Sequence, residues 1–142
     1  MEDYKRYLDD IVQPTIEDFE RHPASIRHAF IACVVTVHAV DYLAHPRRPA
    51  GISGEYKRLS PDFSLVYEVA HAFKHVATGP RDAPNLTAME VVRRPPAMAG
   101  VMVTGISILG DPTGAVTLAD DTNIDLLRVV QRAVAFLREQ VK

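Results

Sequence analysis

A chain of 142 residues is long enough for one domain with a real core and too short for two ordinary ones. Sixteen Lys and Arg against 18 Asp and Glu leave a formal net charge of −2, so no overall basic excess advertises nucleic acid, although a local patch stays open. The single cysteine, Cys33, excludes an internal disulfide, reads as a small buried hydrophobe and fits a reducing, cytoplasmic setting.

The N-terminal Met1–Arg6 has no apolar segment of the kind a signal peptide needs. Asp3 to about Val12 reads as a first helix, with Tyr4, Tyr7, Leu8 and Ile11 on one face. Pro14 is expected to end or kink it, and Thr15, with Asp18 three residues on, restarts a short helix through Phe19. His22-Pro23-Ala24-Ser25 is a turn and a helix start, with Pro23 and Ser25 competing for the first positions. The central helix then runs from Ile26 to about Ala44. Ala29 to Val37 make it apolar on nearly every side, so it is expected to be buried. Arg27, His38, Asp41 and His45 interrupt it within one stripe of roughly 60°, and those charges make it a poor membrane span.

Pro46-Arg47-Arg48-Pro49 terminates that helix, and a loop follows to Leu59, helical at most in part from Glu55. Its cations Arg47, Arg48, Lys57 and Arg58 read either as a solvated loop or as contacts for a phosphate, including that of RNA. Gly51-Ile52-Ser53-Gly54 lacks the Gly-Lys-Ser/Thr ending of a phosphate loop. Ser60-Pro61-Asp62 combines a cap, a first-position proline and an acid, and opens a helix to about Ala77 with Phe63, Val66, Val69, Ala70 and Phe73 inward. Gly79 to Asn85 is loop. Leu86 to Val92 has strand character, which Arg93-Arg94-Pro95-Pro96 breaks. Ala99 to Leu109 and Ala115 to Leu118, joined by Gly110-Asp111-Pro112-Thr113-Gly114, predict a hairpin. Asp120-Asp121-Thr122 opens a last helix to about Gln140.

The expected fold is therefore α+β and mainly α, one domain over 1–142. It has a bundle of about four main helices, with a helical core over about 3–77. A small antiparallel hairpin covers about 99–118 and a C-terminal helix about 122–140.

Two polar stripes carry the chemistry. His38, Asp41 and His45 stack on successive turns of one helix; Glu68, His71 and His75 stack on the next, on the side away from its core face. Together they predict a His-lined polar cleft, with His38, Asp41, His45, His71 and His75 as ligand-binding residues. Imidazole and carboxylate are ordinary divalent-metal ligands, and Glu68-x-x-His71 has the spacing of di-metal bundles, so His38, Asp41, Glu68, His71 and His75 are also metal candidates. The His-Glu-x-x-His pattern is absent, as are a Gly-x-Ser-x-Gly elbow, a dinucleotide fingerprint and a Walker motif. No complete catalytic constellation can be assembled; Lys74 and His75 are the candidates for catalysis.

Ala70-His71-Ala72-Phe73-Lys74-His75-Val76 resembles the end of a core helix in HEPN-like bacterial proteins, where a basic residue and a His close the helix. The chain also resembles a group of small bacterial proteins without an assigned activity, through Ile-Val-Gln-Pro-Thr (Ile11 to Thr15), the His–Asp central helix and Arg-Arg-Pro-Pro (Arg93 to Pro96). The HEPN likeness implies a helical architecture, RNA as partner and a homodimer. In HEPN ribonucleases an Arg, four to six residues and a His meet across the dimer cleft; the formal match here is Arg21 to His28, across a helix start. Three function classes follow in order: a non-catalytic binding or regulatory module, an HEPN-like RNA-binding protein or ribonuclease, and a divalent-metal-binding protein.

Overall fold

The computed structural model describes residues 1–79 and 85–140. The chain begins with α1 (Glu2–Tyr7), passes through a π-helical stretch (Leu8–Val12) and continues as α2 (Gln13–Arg21) without a break. Pro14 therefore does not end the helix. Its ring would press on the carbonyl four residues back, at Asp10, and the wider π turn lies at that point, with the Gln13 N–H reaching Leu8 O. The same wide turn keeps a four-residue spacing on one side through Tyr4, Leu8, Val12 and Ile16, all buried with Phe19, whereas Ile11 is turned out, 45% exposed.

Ser25 caps α3 (Ile26–Ala44) by accepting from the His28 N–H at 3.4 Å, so the serine and not Pro23 sets the start. Small residues make its inner face: Ala29, Ala32, Cys33, Thr36, Ala39, Val40 and Ala44. Contrary to expectation, α3 is buried on that face only; Ile31 and Tyr42 are exposed and Val34, Val35 and Val37 half-buried. By length and composition α3 alone among the described helices could cross a membrane, but it forms the centre of this bundle.

The expected loop after α3 is largely a helix, α4 (Ala50–Leu59). Gly51 and Gly54 lower its intrinsic propensity and hide it from a sequence reading. Burial of Tyr56, which meets Phe63 and Phe136 edge-on at 6.0 and 5.2 Å, supplies what propensity lacks. Ser60 then caps α5 (Pro61–His75), accepting from the Phe63 N–H at 3.1 Å. This helix stops two residues short of the expected Ala77, because Val76 turns to φ 72 and Ala77 enters β1 (Ala77–Thr78). Most of the loop expected over Gly79 to Asn85 lies outside the described residues.

β1 pairs antiparallel with β2 (Leu86–Thr87); a 3-10 turn (Ala88–Glu90) follows, with Glu90 accepting from the Thr87 N–H and hydroxyl. β3 (Val91–Arg94) then pairs antiparallel with β4 (Ala115–Leu118) in the register Val91↔Leu118 to Arg94↔Ala115. The late hairpin exists, but its first strand is Val91–Arg94 and not Ala99 to Leu109. In the intervening loop Val101, Met102 and Val103 are all exposed, so the alternation a half-buried strand requires is missing, and Gly100, Gly105 and Gly110 sit at positive φ.

The last helix, α6 (Leu126–Glu139), begins four residues later than expected. Asp125, and not the Asp120-Asp121-Thr122 stretch, opens it, accepting from the Leu127 N–H at 3.0 Å. Asp120 to Ile124 form a turn held by Thr117 and Asp121. Counting the N-terminal run as one, the described residues hold five helices and two two-stranded antiparallel sheets, an α+β fold that is mainly α. α3, α5 and α6 pack against one another, and one continuous apolar cluster runs from Tyr4 to Leu137. The Tyr4 hydroxyl, buried in it, donates to Leu137 O at 2.9 Å and so joins the two ends of the chain.

Candidate functional site

On the outward side of α3, His38 Nδ1 lies 2.8 Å from Asp41 Oδ2, as the three-residue spacing predicts. Both side chains are about half exposed. On α5 the Tyr67 ring stacks on His71 with centroids 4.1 Å apart, and His71 lies 5.7 Å from His75. The Lys57 ammonium from α4 sits over the Tyr67 ring, 4.3 Å from its centroid.

Between α3, α4 and α5 lies a groove of about 360 Å³. His38 and Asp41 reach it from α3, and His71 and Lys74 from α5; Val34, Val37 and Ala70 form its apolar part. Arg48, just before α4, and Ser53, on α4, complete it. The two polar stripes thus do share a groove, through His38, Asp41 and His71. The remaining stripe residues do not join them. His45 ends α3 and opens, with Asp41 and Tyr42, onto a second depression of about 670 Å³ against Tyr7 and Ile11, so Asp41 borders both. Glu68 and His75 lie with Lys57 and Asn85 in a third, of about 420 Å³, with Tyr67 and His71 as the shared wall.

That division bears on the metal candidates. His38 and Asp41 are on one side of His71, Glu68 and His75 on the other. Among the described residues no three His, Cys, Asp or Glu side chains converge so as to hold a metal ion. Lys74 and His75 also part company: neighbours on a helix point about 100° apart, and Lys74 enters the groove while His75 faces the third depression.

Burial pushes the His71 imidazole below its ordinary value; His75 and Lys74 push the same way, and Glu68 opposes them. His71 is therefore uncharged in neutral solution and offers one N–H and one acceptor nitrogen. Cys33 is fully buried, and burial pushes its thiol up to about 12, which removes it as a nucleophile.

The four loop cations are not alike. Arg48 lines the groove, Lys57 covers Tyr67, and Arg47 and Arg58 are exposed. None of the four, nor Lys74, makes an ion pair among the described residues. The Arg21 and His28 of the formal HEPN match are each engaged locally. Arg21 pairs with Asp18, while His28 bonds Ser25 Oγ at 2.8 Å and stacks on His22 at 4.6 Å.

Two groove residues escaped the sequence reading. Tyr67 lies one turn before His71, so its spacing could have revealed it. Ser53 belongs to a helix that the glycines concealed.

No family model, no curated protein and no solved structure matches the chain.

Proposed function

We propose that the protein is a cytoplasmic binding module without catalysis, whose ligand seats in the groove between α3, α4 and α5. The observation that carries this reading is that two helices bring His38, Asp41 and His71 to one concavity of about 360 Å³ floored by aliphatic side chains. An apolar pocket with a few convergent polar groups is the usual form of a small-molecule site. An activated nucleophile beside a base is the usual mark of covalent catalysis, and the one thiol is buried and does not line the groove. The test is amide NMR of the whole chain against neutral, acidic and basic fragments. Val37, Ser53, Ala70 and His71 should shift together, with no fragment consumed. Shifts confined to the depression at Tyr42 and His45, or none, would overturn the reading.

A second reading, an HEPN-like RNA-binding protein, draws on Arg47, Arg48, Lys57, Arg58 and Lys74, five cations without ion pairs among the described residues. It expects binding of single-stranded RNA that weakens steeply with salt. Absence of binding at low salt eliminates it.

A further inference from the structure

We propose that the groove between α3, α4 and α5 takes a small organic anion. An aliphatic body would lie on Val34 and Val37, with a carboxylate or phosphate directed to Arg48 and Lys74 and hydrogen-bonded by Ser53. This inference rests on the groove being the binding site.

Three observations lead there. The first is charge. The chain as a whole is slightly acidic, yet this groove carries two cations that make no ion pair among the described residues. Its one acid, Asp41, is already bonded to His38 at 2.8 Å. An incoming anion thus meets unspent positive charge, whereas an incoming amine meets a carboxylate already in use. The second is Ser53. Its residue is 7% exposed and lines the groove, and its hydroxyl makes no hydrogen bond among the described residues. The hydroxyl itself still reaches solvent, so water can satisfy it in the open groove and a ligand oxygen can take that water's place. The third is the body of the groove. The aliphatic surface of Val34, Val37 and Ala70 rewards an apolar group and gives nothing to a bare inorganic ion. His71, uncharged for the reasons given above, can add a hydrogen bond without repelling either part of such a ligand.

A series that changes only the head group tests this. The whole chain is titrated by NMR and calorimetry with hexanoate, hexyl phosphate, 1-hexanol and hexylamine, and with inorganic phosphate. The expected result is binding of hexanoate and hexyl phosphate at least about tenfold tighter than hexanol, with shifts at Ser53, Ala70 and His71; the tighter of the two names the head group. Hexylamine and inorganic phosphate should be weaker still. Lys74→Gln and Arg48→Gln, both at exposed positions, should each weaken hexanoate severalfold and leave hexanol unchanged. Ser53→Ala should weaken the anions with the fold intact by far-UV circular dichroism. Equal binding of hexanol and hexanoate, or preference for hexylamine, would overturn the anion assignment while leaving the groove a binding site. Failure of all probes to shift any groove residue would overturn both.

Discussion

Two pairs that each set a nitrogen donor against an aspartate sit in opposite surroundings. At the base of the β3–β4 hairpin, Arg94 Nη2 meets Asp111 Oδ2 at 3.1 Å, with side chains 6% and 17% exposed. On α3, His38 meets Asp41 at 2.8 Å with side chains 52% and 49% exposed. The first pair is built into the chain. Arg94 Nη1 also donates to Thr122 O at 2.6 Å, and Asp111 accepts from the Thr113 and Gly114 amides, so strand, loop and the approach to α6 share one knot. The second pair has solvent or a ligand as its remaining neighbour. Burial, more than the identity of the charges, decides whether such a pair holds the fold or stays available for binding.

The largest effect should come from breaking the buried knot. Arg94→Ala strands Asp111 without its cation and frees Thr122 O, and removal of one partner of a buried pair costs about 3–5 kcal/mol. Urea denaturation should show this; a loss below about 1 kcal/mol would mean that the knot is ornamental. Next comes Gly114→Ala. Gly114 has φ 71, and an added Cβ would lie 2.5 Å from Arg94 O and 3.0 Å from Pro96 N, both backbone atoms that cannot swing aside. A conformational cost of about 1–2 kcal/mol is joined by this clash, so a loss of at least about 2 kcal/mol is expected. A neutral outcome would show that the strand ends can separate freely.

Acid should separate the two pairs as well. Burial alone would raise the Asp111 carboxyl, but Arg94, the Thr113 and Gly114 amides and the Thr113 hydroxyl outweigh it and hold the carboxyl below the usual range. A depressed carboxylate contributes stability that is fully present above its unfolded value, about 4, and is lost as the pH falls through the lower folded value. Melting temperature followed downward from pH 5 should therefore drop more steeply for the native chain than for Asp111→Asn. Parallel curves would contradict the assignment.

These contrasts also show what a sequence can disclose. The helices α3, α5 and α6 were legible because caps and a 3.6-residue apolar period act locally: Ser25, Ser60 and the Leu126 to Leu137 face all lie within one element. The helix α4 was illegible because Tyr56 is held by Phe63 and Phe136, the latter far along the chain, against the tendency of two glycines. Arg93-Arg94-Pro95-Pro96 could be read as a strand end, but the role of Arg94 depends on partners 17 and 28 residues onward. The apolar run from Ala99 to Leu109 looked like a strand because composition does not reveal which way side chains face. At the groove, the His38–Asp41 pairing followed from helical spacing. That His71 joins them and His45 does not follows from how α3 crosses α5, which no single-helix pattern contains.

The smallest effect on stability should accompany a clear effect on binding. His38→Ala removes a half-exposed partner from Asp41, so folding free energy should change by less than about 0.5 kcal/mol. The consequence for the groove is larger, because His38 is the group that engages the Asp41 carboxylate there. Without that hydrogen bond the Asp41 carboxylate is free to turn into the same concavity and repel an anion seated there. A unit charge a few ångströms away in a solvated setting is worth about 1 kcal/mol, or roughly fivefold in affinity. His38→Ala should therefore weaken hexanoate about three- to tenfold and strengthen hexylamine, with hexanol unmoved. Asp41→Asn in the same background should restore hexanoate, since it removes the exposed charge while keeping the shape. If His38→Ala leaves all three affinities as they were, the His38–Asp41 pair has no electrostatic hold on the groove, and its half-exposed position on α3 is its whole role.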